Sequence, residues 1–256
     1  MMRYLITLLI TAFLVGCSGP PQVDTTKIPL TEEELAYIAS HPNVTWAAED
    51  ERPPYVLLKG GVYQGLSVAY MQIIEKKTGL KFKAIRTTTF SDSIDALETH
   101  KVDVMPAVRP TPSWTDKGMS FSSPFTYNAG VFIFRVNSLP RSPLTTGIRK
   151  SEAVKDYLIT RFPDMRIVEV EDDEEAIAQL EKGLLDGVVM DAAAANFWIK
   201  QSDVGMRTAT INFDYPYSFA YDKNNHVLGS ILTKALNSIS AKDKKAIDAY
   251  PYISEK

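Results

Sequence analysis

From Val44 onward, short apolar runs alternate with amphipathic segments of helical period. "VTWAAE", "LKFKAI" and "VDVMPAV" read as strands, with helices between them from Ser67 to Lys77 and from Ser91 to Glu98. That order predicts an α/β sheet of mainly parallel strands. A second series follows: a helix from Ser151 to Arg161, the strand "MRIVEV", a helix from Asp173 to Glu181, the strand "LLDGVVM" and a helix from Asp191 to Lys200. Upstream, "LTEEEL" opens a helix with a capping box formed by Thr31 and Glu34.

The two series echo each other. "IDALETHKVDVM" and "IAQLEKGLLDGV" align at one constant offset of 83 residues, which pairs Ile94 with Ile177, Leu97 with Leu180, Glu98 with Glu181 and Asp103 with Asp186. This predicts two similar α/β lobes. In open α/β sheets, ligands sit beyond the carboxyl ends of strands. The echoed strands end at Val108 and Met190, so the loop starting at Arg109 and the helix starting at Asp191 should face a common cleft.

Composition narrows the function. The chain has 256 residues, 45% hydrophobic and 23% charged, with a formal net charge of -3, which supplies no basic footprint for nucleic acid. Its three histidines are scattered without ligand-like spacing, so no metal site is expected. With no Gly-x-Ser-x-Gly elbow and no phosphate loop, neither a catalytic site nor a cofactor is expected.

Residues 1–16 have the layout of a secretory signal: Arg3, then an apolar run too short to span a bilayer as a helix. "Leu14-Val15-Gly16-Cys17" resembles a bacterial lipobox, which implies cleavage before Cys17 and lipidation of that only cysteine. Ser18 in the next position leans towards the outer membrane. Residues 17–30 then form a lipidated start and polar tether.

The order of several segments resembles the bacterial extracellular solute-binding proteins of the amino-acid-binding type, family 3. "HPNVTWAAEDERPPYVLLKGGVYQGLSVAYMQIIEKKTGLKFK" is similar to their opening, and "TPSW" with "FSSPF" resembles their Thr-Pro-x-Arg and Phe-Ser-x-Pro-aromatic segments. Residues 151–191 resemble the second lobe of versions fused to sensor kinases. The resemblance implies a two-lobed, periplasmic-binding-protein-like type II fold, with two mixed sheets joined by a two-strand hinge. Lobe 1 would comprise residues 31–130 plus 217–256, and lobe 2 residues 131–216.

The resemblance also implies a ligand site. Tyr55, Tyr63, Thr111 and Asp191 match positions that line the family's cleft, Asp191 being the acid that meets a ligand amine. Trp114 stands where the family has an Arg that clamps a carboxylate, and an indole cannot replace bidentate guanidinium recognition. Trp114 either stacks on the ligand or covers the loop. Arg109, Arg149 and Lys150 are alternative clamps, with Ser151 capping a lobe-2 helix. Asp191 and Trp114 together favour a cationic ligand.

The expected function is that of a monomeric, non-enzymatic solute-binding lipoprotein. Its partners would be a small molecule, the membrane through the anchor, and an ABC importer permease or a membrane sensor kinase or cyclase. Two alternatives stay open: a periplasmic enzyme of the cyclohexadienyl dehydratase type, and a degenerate lobe pair that binds protein.

Overall fold

The computed structural model describes residues 19–138, 141–150 and 154–251. The signal-like run, Cys17 and Ser151 lie outside the described residues.

Lobe 1 begins with α1 (Glu32–Ser40), capped by Thr31 with both arms of the capping box formed. Next come β1 (Val44–Glu49), a small antiparallel sheet of β2 (Glu51–Arg52), β3 (Val56–Lys59) and β4 (Val62–Gln64), then α2 (Leu66–Thr78). β5 (Phe82–Thr87), α3 (Phe90–Glu98), β6 (Val104–Val108), α4 (Pro112–Asp116) and β7 (Met119–Phe121) complete the outward half. β8 (Thr126–Arg135) carries the chain into lobe 2, made of β9 (Thr145–Arg149), α5 (Val154–Arg161), β10 (Arg166–Val170), α6 (Asp173–Glu181), β11 (Gly187–Asp191) and α7 (Ala192–Gln201). The long β12 (Met206–Asp222) returns to lobe 1, where α8 (His226–Asn237) and α9 (Ala241–Ala249) pack.

The strands follow the order β10-β9-β11-β8-β12-β6-β1-β5, with β7 paired to β12. The first half belongs to lobe 2 and the second to lobe 1, and the antiparallel pair β8/β12 joins them. Their register breaks between Thr210 and Asp214. Gly130 sits at this joint, where a Cβ would meet the Ile211 side chain at 2.8 Å and the Phe213 carbonyl at 3.0 Å. A side chain there would force the hinge strands apart.

The internal echo is structural. α3 and β6 in lobe 1 have the same lengths as α6 and β11 in lobe 2 and lie 83 residues before them. The helices are capped by Thr89 and Asp172, at the same offset. Asp103 and Asp186 do equivalent work. The Asp103 carboxylate accepts from the Thr45 amide at 2.7 Å, and that of Asp186 from the Thr145 amide at 2.9 Å. Each acid thereby fixes the start of a parallel strand against its neighbour.

The central strands are buried on both faces, as sheets covered by helices require. In β1, Val44, Trp46 and Ala48 join the core under α2 and α8, while Ala47 joins the core on the opposite face. In β11, Val188 and Met190 face the lobe-2 core and Val189 faces the other side. This puts the carboxyl ends of β6 and β11 on opposite sides of one crevice.

Candidate functional site

Asp191 ends β11 and caps α7. Its Oδ1 accepts from the Ala193 and Ala194 amides at 3.0 and 3.1 Å, the usual office of an N-cap acid. The same carboxylate also reaches lobe 1. The Tyr55 hydroxyl donates to Oδ1 at 2.7 Å, and Tyr217, on the returning hinge strand, donates to Oδ2 at 3.1 Å. Asn128, on the outgoing hinge strand, donates to the Tyr55 oxygen at 3.0 Å. Tyr55, Tyr217 and Asp191 are each no more than 3% exposed. Burial and the neighbouring Asp191 charge push the Tyr55 phenol well above its ordinary value, so it remains a neutral donor.

Local geometry explains why Tyr55 points this way. Leu66 and Ser67, in the first turn of α2, donate their amides to the Pro54 and Tyr55 carbonyls at 2.9 and 3.0 Å. Gly65 precedes them with φ +120, and a Cβ there would overlap the Tyr55 carbonyl. Only glycine permits both the backbone angle and the close approach.

Arg52 forms the second wall. It is 5% exposed, pairs with Glu49 at 3.4 Å and donates Nη2 to the Ala107 carbonyl at 2.8 Å. Ala107 lies near the end of β6 at φ +55, a left-handed value that alanine adopts at a cost, and its carbonyl is received by the buried guanidinium. The Phe90 ring, at the start of α3, has the Arg52 guanidinium at 5.0 Å and the lobe-2 Arg149 guanidinium at 4.8 Å. These are cation-π distances, and the second spans the two lobes.

The closed cleft therefore has two compartments. Around Tyr55, Asp191, Tyr215 and Tyr217 only about 10 Å³ is left, room for roughly one water. Towards solvent, a cavity of 210 Å³ lies between the lobes, lined by Glu49, Glu51, Arg52 and Phe90 on one side and by Arg149, Asp172, Glu174 and Trp198 on the other. Burial, followed by the charges of Glu174, Asp172 and Asp50, raises the Glu51 carboxyl above its ordinary value. Among the described residues, no three His, Cys, Asp or Glu side chains are arranged to hold a metal ion.

Of the residues anticipated from sequence, the structure brings Tyr55, Asp191 and Arg149 to the cleft. Others lie elsewhere. Trp114 is 8% exposed and packs with Ile94, Leu97, Val108 and Met119 in a lobe-1 core. Thr111 caps α4 and Pro112 starts it, and the apolar Trp114 turns inward to the lobe-1 core and lines neither compartment. Tyr63 packs edge-on against Trp46 and donates to the Ala48 carbonyl, outside both compartments. Arg109 lies over Phe213 at 4.4 Å and donates to the Asp214 carbonyl. Lys150 is bound to Glu171 at an exposed position.

Arg52, Phe90 and Tyr217 were not anticipated. Each carries a weak signal in hindsight: an arginine directly before "PPY", a phenylalanine after a capping threonine, and a tyrosine two residues past Tyr215 on a strand of period two.

Two α/β lobes on a two-strand hinge, with a buried cleft between them, define a periplasmic-binding-protein-like domain of type II. The chain belongs to the bacterial extracellular solute-binding proteins, family 3, whose profile matches residues 44–249. It is 26% identical over 237 residues to the virulence sensor protein BvgS of Bordetella pertussis, covering 88% of this chain and 19% of that protein. It is 24% identical over 226 residues to the sensor protein EvgS of Escherichia coli K12, covering 83% of this chain and 18% of that one. The chain thus spans about a fifth of the length of these sensors. The crystal structure of the BvgS periplasmic VFT2 domain superimposes with a TM-score of 0.80 at 25% identity, over 86% of this chain and 98% of that one. An arginine-binding protein from T. maritima gives a TM-score of 0.67 at 20% identity, over 84% and 96% of the two chains, a likeness of fold.

Proposed function

We propose that the protein is a solute-binding lipoprotein of the cell envelope, anchored through Cys17, that captures a small organic cation between its lobes and reports their position to a membrane sensor. The observation that carries this reading is the Asp191 carboxylate, buried at the floor of the cleft and reached from lobe 1 by the neutral hydroxyls of Tyr55 and Tyr217. A ligand ammonium or guanidinium would set a full opposite charge against that carboxylate, which a neutral phenol donor does not carry.

The closed cleft leaves no space for such a group at Asp191. The ligand head must therefore displace the Tyr55 hydroxyl and widen the cleft, with its tail in the 210 Å³ cavity against Phe90 and the acidic rim. The Tyr55–Asp191 bond across the cleft supports sensing over import, since a ligand that has to break it changes how the lobes are held. The similarity to BvgS and EvgS supports the same choice. Calorimetric titration of the purified protein with amines, guanidines and carboxylates tests the reading: saturable binding confined to cations is expected, and binding confined to carboxylates would overturn it.

A further inference from the structure

The rim of the cleft has a charge pattern that the ligand reading does not use. The 210 Å³ cavity is lined by seven carboxylates against two guanidiniums, with three of the acids on lobe 1 and four on lobe 2. Closure presses like charges together across a moving boundary.

Glu51 is at the centre of this contact. From its own side it feels the charge of Asp50, with Glu49 lining the same cavity, and from the start of α6 across the cleft it feels Glu174 and the cap Asp172, with Asp173 and Glu171 also lining the cavity. The nearby cations are engaged. Arg86 holds Asp50 through contacts of 2.7 and 2.8 Å, Arg52 holds Glu49, and Lys150 holds Glu171. Arg149 lines the same cavity, facing Phe90, and Lys59 lines the adjoining groove that also contains Glu51, Glu174 and Glu181. In an open form separated by more than about 8–10 Å, the Debye length at physiological salt, the two groups of acids would barely interact. Brought together around one cavity they repel.

We propose that this rim is an electrostatic gate: ionised Glu51, Asp172 and Glu174 push against the Tyr55–Asp191 latch and weaken it, and protonation of Glu51 lets it tighten. The sign follows from linkage. A carboxyl that titrates higher in the closed form than in the open form makes closure take up a proton. Closure is then favoured in acid and opposed as the pH rises above the ordinary glutamate value of 4.5. The gate does not depend on the identity of any solute, nor on Asp191 binding one.

Hydrogen–deuterium exchange of the full chain without ligand tests this directly, comparing wild type with Glu51→Gln at each pH so that intrinsic exchange rates cancel. At neutral pH, Glu51→Gln should protect amides of residues 187–196 severalfold, in the direction of removing one like charge from the closed rim. The difference should shrink on acidification towards 4.5, disappear below it, and shrink in high salt. Glu174→Gln, on the opposite lobe, should act in the same direction, while β1 amides in the lobe-1 core stay unchanged and report intact folding. Equal protection in wild type and Glu51→Gln at neutral pH would overturn the gate. Protection by Glu51→Gln without any by Glu174→Gln would also overturn it, since the effect would then be local to β2.

Discussion

The Tyr55 hydroxyl of lobe 1 and the Asp191 carboxylate of lobe 2 meet at 2.7 Å, although 136 residues separate them in sequence. This bond joins the lobes at the cleft floor, and it uses the acid that in the family pattern meets a ligand amine. The closed state is stabilised by this bond between the protein's own side chains. On the proposed reading, a solute that takes up Asp191 breaks it.

Tyr55→Phe keeps the ring and removes the donor. A hydrogen bond to a charged group contributes about 1.5–3 kcal/mol, so the open form should become tenfold or more better populated. Small-angle scattering should show a larger radius of gyration than wild type, with little change in secondary structure by circular dichroism.

Asp191 has two offices, and two substitutions separate them. Asp191→Asn keeps an N-cap acceptor for Ala193 and Ala194 but gives up the charge, so lobe-2 stability should hold while cation binding is lost. Asp191→Ala removes the cap as well and should lower stability by a further 0.5–2 kcal/mol or so, read from urea unfolding.

Gly65→Ala should be disruptive for its size. The new methyl group meets the Tyr55 carbonyl at a backbone angle of +120 that alanine avoids. A loss of about 1–3 kcal/mol in urea unfolding is expected, with a displaced Tyr55 and a weakened latch.

Glu34 docks α1 onto α8 through Lys234 and Ser230. Burial alone would raise its carboxyl, but hydrogen bonds from Lys234, the Thr31 amide and Ser230 outweigh that and hold it at about 2. A depressed carboxyl contributes stability above its unfolded value, 4.5, and loses it as the pH falls towards about 2. Thermal unfolding should show Glu34→Gln less stable than wild type at neutrality, with the gap narrowing through that acid range.

Much of the fold is visible in local patterning. The Thr31 capping box, the strand of period two at Val44 to Ala48 and the 83-residue echo each depend on residues close in sequence. Asp191 was legible for the same reason, because an acid between an apolar strand and an alanine-rich helix signals a cap. Trp114 was misleading. Whether an aromatic in a short proline-started turn faces a cleft or a core depends on how α4 rolls against β7 and α3, a tertiary choice that spacing does not encode. Arg52 and Phe90 were hidden for a related reason: the first is held by a carbonyl 55 residues away, and the second gains its role only from a guanidinium in the other lobe.

The central claim is that Asp191, at the floor of a cleft latched by Tyr55, is the anchor for a cationic solute. Thermal unfolding of the wild type and Asp191→Asn proteins against a panel of amines, polyamines, guanidines, amino acids and carboxylates tests it most directly. A ligand at ~1,000 times its dissociation constant adds roughly 4 kcal/mol of stability, enough to move the midpoint by several degrees. The account predicts such a shift with at least one organic cation for wild type and none for Asp191→Asn. A shift that survives Asp191→Asn, or one produced only by carboxylates, would contradict it.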